Sequence, residues 1–361
     1  MTSIAETGAP GEQAQGHPVT LVTTYGERLE VTCAPGQNVL EAAAQAGAAL
    51  PASCRGGTCG SCRATVECGG YELGAHSPAA LPEERRVRGE VLLCRTVPRE
   101  PLSVALPYES SRILYGGIPV REAEITALEG VARDTVRLEL RLAEDAETGL
   151  DCQFEPGQFM ELQVPEDVPR QAGVKRAYSL ANTGNWEGLA EFYIRLRPGG
   201  AFSSYLREHA RVGSRLIAHG PQGAFGLRET GLRPRWFVAG GTGLAPLLSM
   251  VRHMAEWQEP HPAWLVLGVN EEEDVFGLAE LDKVAAELPG FRYEVCVWRP
   301  GPSWPGASGT PADLVAAALA DAAETPEIYV CGPPPLVDAV TRAAAGTVPE
   351  EHIHHERFLA T

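Results

Sequence analysis

The chain of 361 residues contains no run of 18 consecutive apolar residues, so nothing in it reads as a membrane-spanning helix. Its opening residues, Met1 to Gly16, hold neither a basic nor an apolar segment, which gives the expectation of no signal peptide and a cytoplasmic location. Lysine is nearly absent, with only Lys175 and Lys283, and the 30 basic residues fall well short of the 47 acidic ones. The net charge of −17 repels nucleic acid and anionic lipid, so neither is expected as a partner. What is present suits packed cores: 44% of residues are hydrophobic and 21% charged, which excludes a wholly disordered chain. At about 100–200 residues per domain, the length implies two or three domains. The nine cysteines, in a chain expected to meet a reducing compartment, point to metal ligands before disulfides.

Residues 1–16 are polar and rich in glycine and proline, and read as a disordered tail. Val19–Tyr25 and Arg28–Cys33 form a hairpin pattern turning at Gly26, followed by a helix capped by Asn38 and stopped by Gly47. A cysteine-rich loop comes next, then a closing strand at Leu102–Leu106. The first domain is therefore expected over 17–109, with a linker at 110–118 rich in glycine and turn residues. Six strand-like stretches follow, broken by one short helix near Ser203, and predict a six-stranded antiparallel barrel over 119–231. From Trp236 strands alternate with helices, the pattern of a parallel, doubly wound sheet over 232–361. The fold class is thus multidomain, α+β followed by α/β.

The most specific motif is Cys54-x4-Cys59-x2-Cys62 with Cys94 after 31 further residues, the plant-type [2Fe–2S] spacing. Gly56, Gly57 and Gly60 let the backbone wrap the cluster and aim N–H groups at its sulfurs. A structural zinc site is the alternative, although zinc more often takes paired C-x2-C units. Of the other cysteines, Cys33, Cys68, Cys152 and Cys296 read as small hydrophobes, whereas Cys331 ends a parallel strand where such sheets bind ligands.

Gly240-Gly241-Thr242-Gly243-Leu244-Ala245-Pro246 follows one apolar strand and opens a helix, the placement of a pyrophosphate-binding turn, with an ordinary turn as the alternative. Glu271 to Asp274 follow the next strand. A carboxylate there accepts ribose hydroxyls and repels an extra phosphate, which predicts NADH over NADPH; a solvated acidic loop is the alternative. On the barrel strand Arg176-Ala177-Tyr178-Ser179-Leu180, alternation puts Arg176, Tyr178 and Leu180 on one face. A guanidinium, an aromatic ring and a hydroxyl in that order suit a flavin. Gly199 to Ser204 enter the short helix and offer a second phosphate-binding start. The spacing of His352, His354 and His355 fits no zinc signature, and they read as surface or packing histidines.

Together, the cysteine quartet, Arg176–Asn182, Gly240–Pro246, Cys331–Pro334 and Glu356–Leu359 resemble the ferredoxin-NADP reductase-type oxygenase reductases. The segments Phe154–Met160, Ser249–Arg252 and Leu92–Thr96 are similar in particular to reductase components of soluble methane and related alkane or alkene di-iron monooxygenases. The resemblance implies a β-grasp ferredoxin domain, a FAD-binding barrel and a Rossmann-like NAD-binding domain. It further implies Cys54, Cys59, Cys62 and Cys94 as cluster ligands, and Arg176, Tyr178, Ser179, Leu180, Arg195, Gly200, Phe202 and Ser203 as flavin contacts. Gly241, Thr242, Gly243, Glu271, Cys331, Gly332 and Pro333 would hold NADH, with Ser179, Cys331 and Phe358 beside the reacting ring. The implied partner is a di-iron hydroxylase served by a monomeric reductase. The alternatives are the reductase of a Rieske dioxygenase or phenol hydroxylase, and a redox carrier or sensor with a degenerate flavin domain.

Overall fold

The computed structural model describes residues 16–146, 148–229 and 231–358; the expected disordered tail lies, Gly16 apart, outside them, as does Leu359. Two compact units divide between Gly117 and Ile118.

In the first unit the strands are β1 (His17–Val22), β2 (Arg28–Cys33), β3 (Ala48–Ala49), β4 (Arg63–Cys68), β5 (Tyr71–Leu73), β6 (Glu90–Leu92), β7 (Thr96–Pro98), β8 (Leu102–Ala105) and β9 (Leu114–Tyr115). Helices α1 (Val39–Gln45) and α2 (Glu83–Val87) complete it. The main sheet runs β2-β1-β8-β4-β6, with β1 parallel to β8 and the other neighbours antiparallel, the β-grasp arrangement. The Asn38 side chain accepts from the Glu41 N–H, capping α1 as the sequence suggests. Residues 110–116 differ from a bare connector. Ile113 is buried, β9 pairs with β3, and the Gly116 N–H donates to Gly47 O, so apolar burial folds this stretch back onto its own unit.

The second unit opens with an antiparallel sheet in the order β13-β12-β15-β10-β11-β14. Its strands are β10 (Val120–Ala132), β11 (Thr135–Leu142), β12 (Phe159–Gln163), β13 (Lys175–Ser179), β14 (Leu189–Arg195) and β15 (Arg215–Gln222), with α3 (Ala201–Glu208) before the last. Alternation builds its core: Leu138, Leu140 and Leu142 point inward while Arg137, Glu139 and Arg141 do not. The Ala181 N–H donates to Glu191 O, joining the chain just past β13 to β14, the strand at the opposite end of the order.

The remainder is a parallel sheet, β19-β18-β17-β16-β20-β21. Its elements are β16 (Arg235–Gly240), α4 (Leu244–Glu256), β17 (Ala263–Val269), α5 (Leu278–Glu287), β18 (Phe291–Val297), β19 (Ala307–Ser308), α6 (Pro311–Ala320), β20 (Glu327–Gly332), α7 (Pro334–Ala344) and β21 (Ile353–Arg357). The order reverses at β16, whose two neighbours are β17 and β20. That reversal opens a crevice at the carboxyl ends of β16 and β20. Strand β21 was not anticipated; His352 and His354 both put a ring nitrogen on the fully buried Glu327, at 3.1 and 2.5 Å, and so act as packing histidines. Among the described residues no helix is long and apolar enough to cross a membrane.

Candidate functional site

The cysteine quartet gathers on the loop between β3 and β4 and on the turn after β6. Its thiols fall into two pairs: Cys62 and Cys94 sulfurs lie 3.4 Å apart, and the Cys59 thiol bonds to Cys54. The N–H groups of Gly56, Thr58 and Cys59 donate to Cys54 Sγ at 3.4, 3.3 and 3.3 Å, and Ser61 N–H reaches Cys59 Sγ at 3.4 Å. The Cys59 thiol, helped by these N–H groups, holds Cys54 down at about 4, and the Cys62 thiol brings Cys94 to about 7. Cys59 and Cys62, which supply the shared protons, are pushed up. Two pairs suit two irons, whereas zinc wants four ligands around one point. The paired arrangement of the four thiols therefore fits the cluster. The loop needs glycine at Gly57, where φ is +77° and a Cβ would lie 3.0 Å from Arg95 Cγ. Arg95 in turn donates to Gly56 O at 2.8 Å. Cys62 and Cys94 are buried; Cys54 and Cys59 are only half-buried.

On β13, Arg176 and Tyr178 are half-buried on one face and Ser179 is buried at the strand's end. The Tyr178 ring packs on Phe202 with centroids 5.2 Å apart. Among the described residues neither Arg176 nor Arg195 pairs with a carboxylate, which leaves each guanidinium available to an anionic group such as a pyrophosphate. Not every expected contact is offered by a side chain. Leu180 and Phe202 are core residues, and the Ser203 hydroxyl accepts from Arg197 N–H at 2.9 Å, bracing the turn before α3. Gly200 supplies the backbone at the start of that helix.

The crevice between β16 and β20 brings the remaining candidates together. A Cβ on Gly243 would lie 2.1 Å from Cys331 O, so the turn of Gly241, Thr242 and Gly243 approaches Cys331 and Gly332 as only glycine allows. Glu356 on β21 pairs in register with Cys331, and Phe358 N–H donates to Gly332 O at 2.8 Å, which seats Phe358 beside Pro333. From the barrel, Ser179 Oγ donates to Glu356 Oε2 at 3.3 Å. Glu356 is crowded by protein while part of its surface stays open to the crevice, and burial raises its carboxyl to about 7. Burial also pushes the Cys331 thiol well up, so it stays a neutral wall. Glu356 is a candidate the sequence reading missed: it stood in a quoted motif without a role.

Glu271 lies just past β17, at the same edge. It is not a free acid; Arg133, from the turn between β10 and β11, reaches Glu271 at 2.5 Å and Asp274 at 2.8 Å and holds the Glu271 carboxyl below its usual range.

Two cofactor sites and a nucleotide edge on these three folds define an iron–sulfur flavoprotein oxidoreductase. Family models agree: the 2Fe-2S iron-sulfur cluster binding domain matches residues 22–99, the oxidoreductase FAD-binding domain 122–226 and the oxidoreductase NAD-binding domain 237–342. The chain is 40% identical over 249 residues to methane monooxygenase component C of Methylosinus trichosporium, covering 69% of this chain and 71% of that one. It is 34% identical over 331 residues to the toluate 1,2-dioxygenase electron transfer component of Pseudomonas putida, covering 90% and 94%. Among solved structures, an Amycolatopsis cytochrome P450 reductase superposes with a TM-score of 0.71 at 31% identity, over 94% of this chain and 98% of that one. The chain belongs to the family of reductase components that supply electrons to multicomponent oxygenases.

Proposed function

We propose that this protein is the NADH-dependent reductase of a soluble di-iron monooxygenase, and that its partner is the hydroxylase of that system. The observation that carries the reading is the 40% identity to a methane monooxygenase component, joined to a complete set of cluster, flavin and nucleotide residues. FAD, when bound, turns the two-electron hydride of NADH into single electrons that the [2Fe–2S] cluster can pass on.

The chain's own residues place and insulate these groups. Arg176 and Arg195, with the backbone at Gly200, would hold the flavin pyrophosphate, and Tyr178 would offer the flavin an aromatic contact. Gly241, Thr242 and Gly243 present N–H groups to the NADH pyrophosphate at the start of α4, and Pro333 and Gly332 line the opposite wall. Glu271 accepts from the ribose hydroxyls and repels a 2′-phosphate. Ser179 donates its hydroxyl proton to Glu356, whose carboxyl, raised to about 7 by burial, can take up or release a proton beside the reacting rings near neutral pH. Cys331 and Phe358 exclude water there. In the first unit the N–H groups aimed at Cys54 stabilise the extra negative charge of a reduced cluster, and the half-buried Cys54 and Cys59 give electrons their exit. The protein works as a cytoplasmic monomer.

The reductase relatives include a dioxygenase component, so the partner is the point to test. Electron delivery to a purified di-iron hydroxylase and to a Rieske oxygenase should be compared side by side. Rapid reduction of the hydroxylase alone is expected; rapid reduction of the Rieske protein alone would move the assignment to an aromatic dioxygenase.

A further inference from the structure

Helix α4 does more than present its first turn. Ser249, Arg252 and Glu256 recur at i, i+3 and i+7 and so share one stripe of the helix. Each meets one of three consecutive residues just past the flavin strand. Ser249 Oγ donates to Asn182 O at 2.7 Å, Arg252 Nη1 to Ala181 O at 2.8 Å, and Thr183 Oγ1 donates to Glu256 Oε1 at 2.6 Å. Arg252 also bonds Glu191 on β14 at 3.2 Å and reaches Glu280 on α5. Glu191 is itself held by Arg137 of β11 at 3.1 Å.

Burying a guanidinium among carboxylates is a poor way to gain stability, because desolvation offsets the attraction and apolar residues in place of the whole cluster often do as well. Adhesion is already supplied by the buried Leu247, Leu248, Val251 and Met254 of the same helix. Apolar contacts tolerate sliding; hydrogen bonds to three successive residues do not. We propose that Arg252, backed by Ser249 and Glu256, is a positioning residue that fixes the nucleotide turn at the head of α4 against the flavin strand ending at Ser179. Arg252 touches neither reacting ring. It sets the separation across which hydride passes, where an error of about 1 Å costs about 100-fold in rate. The inference rests on the reductase reading.

The test compares Arg252→Met, Ser249→Ala and Arg252→Lys in the full-length, FAD-loaded protein. For Arg252→Met, the rate of flavin reduction by NADH is expected to fall about 30- to 100-fold, with loss of the long-wavelength charge-transfer absorbance. FAD content should hold and NADH affinity should stay within about threefold, while the melting temperature falls by a few degrees because Glu191 and Glu280 lose a partner. Ser249→Ala should lose less, and Arg252→Lys, which still reaches Ala181 O, should recover part of the rate. A reduction rate within about threefold of the parent, or a rate that falls only in step with FAD content, overturns the proposal. Hydrogen exchange reads the same placement without turnover. Arg252→Met should speed exchange at least about tenfold across residues 181–183 and the first turn of α4 while leaving β16 protected, and unchanged exchange there overturns the proposal. A parent protein that NADH does not reduce would instead count against the reductase reading, and the exchange result would still decide the role of Arg252.

Discussion

Around Cys54, the Cys59 thiol and, behind it, the N–H groups of Gly56, Thr58 and Cys59 point at one sulfur and hold it down at about 4; around Glu356, burial drives a carboxyl up to about 7. The two regions treat charge in opposite ways. The cysteine loop is wrapped by backbone donors and half-open to water, an environment that welcomes negative charge. The crevice is lined by a neutral Cys331, a buried Ser179 and a carboxyl whose ionisation burial disfavours, an environment that discourages fixed negative charge. The difference follows the cargo: single electrons must be stored at a surface, whereas hydride must pass between two rings in a dry gap.

Breaking the welcoming side should have the largest effect. In Cys54→Ser, electron delivery to an external one-electron acceptor is expected to fall at least about 100-fold with loss of iron–sulfur absorbance, while flavin reduction by NADH stays within about threefold. Loss of both reactions together would show that the two regions are not separable. On the refusing side, Glu356→Gln should slow NADH-driven flavin reduction about 10- to 100-fold and remove an inflection near pH 7 from its pH profile. The same substitution sharpens the stability argument. The folded protein keeps a proton on Glu356 that the unfolded chain releases near its usual 4.5. The stability from this group is therefore complete below 4.5, declines as pH rises and is gone above about 7. Melting temperatures should show the glutamine variant gaining on the parent between pH 5 and pH 8, and parallel curves would contradict the raised carboxyl. The smallest effect belongs to Arg133→Ala. Its ion pairs to the Glu271 loop are exposed and screened, so KM for NADH should rise less than about threefold, and that rise should vanish at high salt.

The cysteine loop was legible because its chemistry is mostly local: three of the four thiols and their glycines lie in one short stretch, and the spacing to Cys94 completes the ligand set. The alternating apolar residues of β11 and α4 likewise announced a barrel and a parallel sheet. The crevice was legible only in part. Ser179 and Glu356 meet across 177 positions, and the property that makes Glu356 useful comes from burial, which no local pattern encodes. Strand β21 escaped because Ile353–Arg357 is almost entirely polar, its His354 being matched to a glutamate on β20 rather than to an apolar core. The stretch 110–116 read as linker from its glycines, yet the burial of Ile113 and a two-residue pairing with β3 were enough to fold it back. Arg252 stood in a segment that carries the family resemblance but without a role, since an arginine on an amphipathic helix looks solvated until its partners Ala181 and Glu191 are known.

The central claim, one path from NADH through flavin to cluster, is tested most directly by anaerobic titration of the purified protein with NADH, and in parallel NADPH, followed by visible absorbance. Flavin and iron–sulfur bands that bleach together, at far lower NADH than NADPH, are the expected result. A spectrum with the cluster but no flavin, or bands that neither nucleotide bleaches, would contradict it and favour a carrier or sensor.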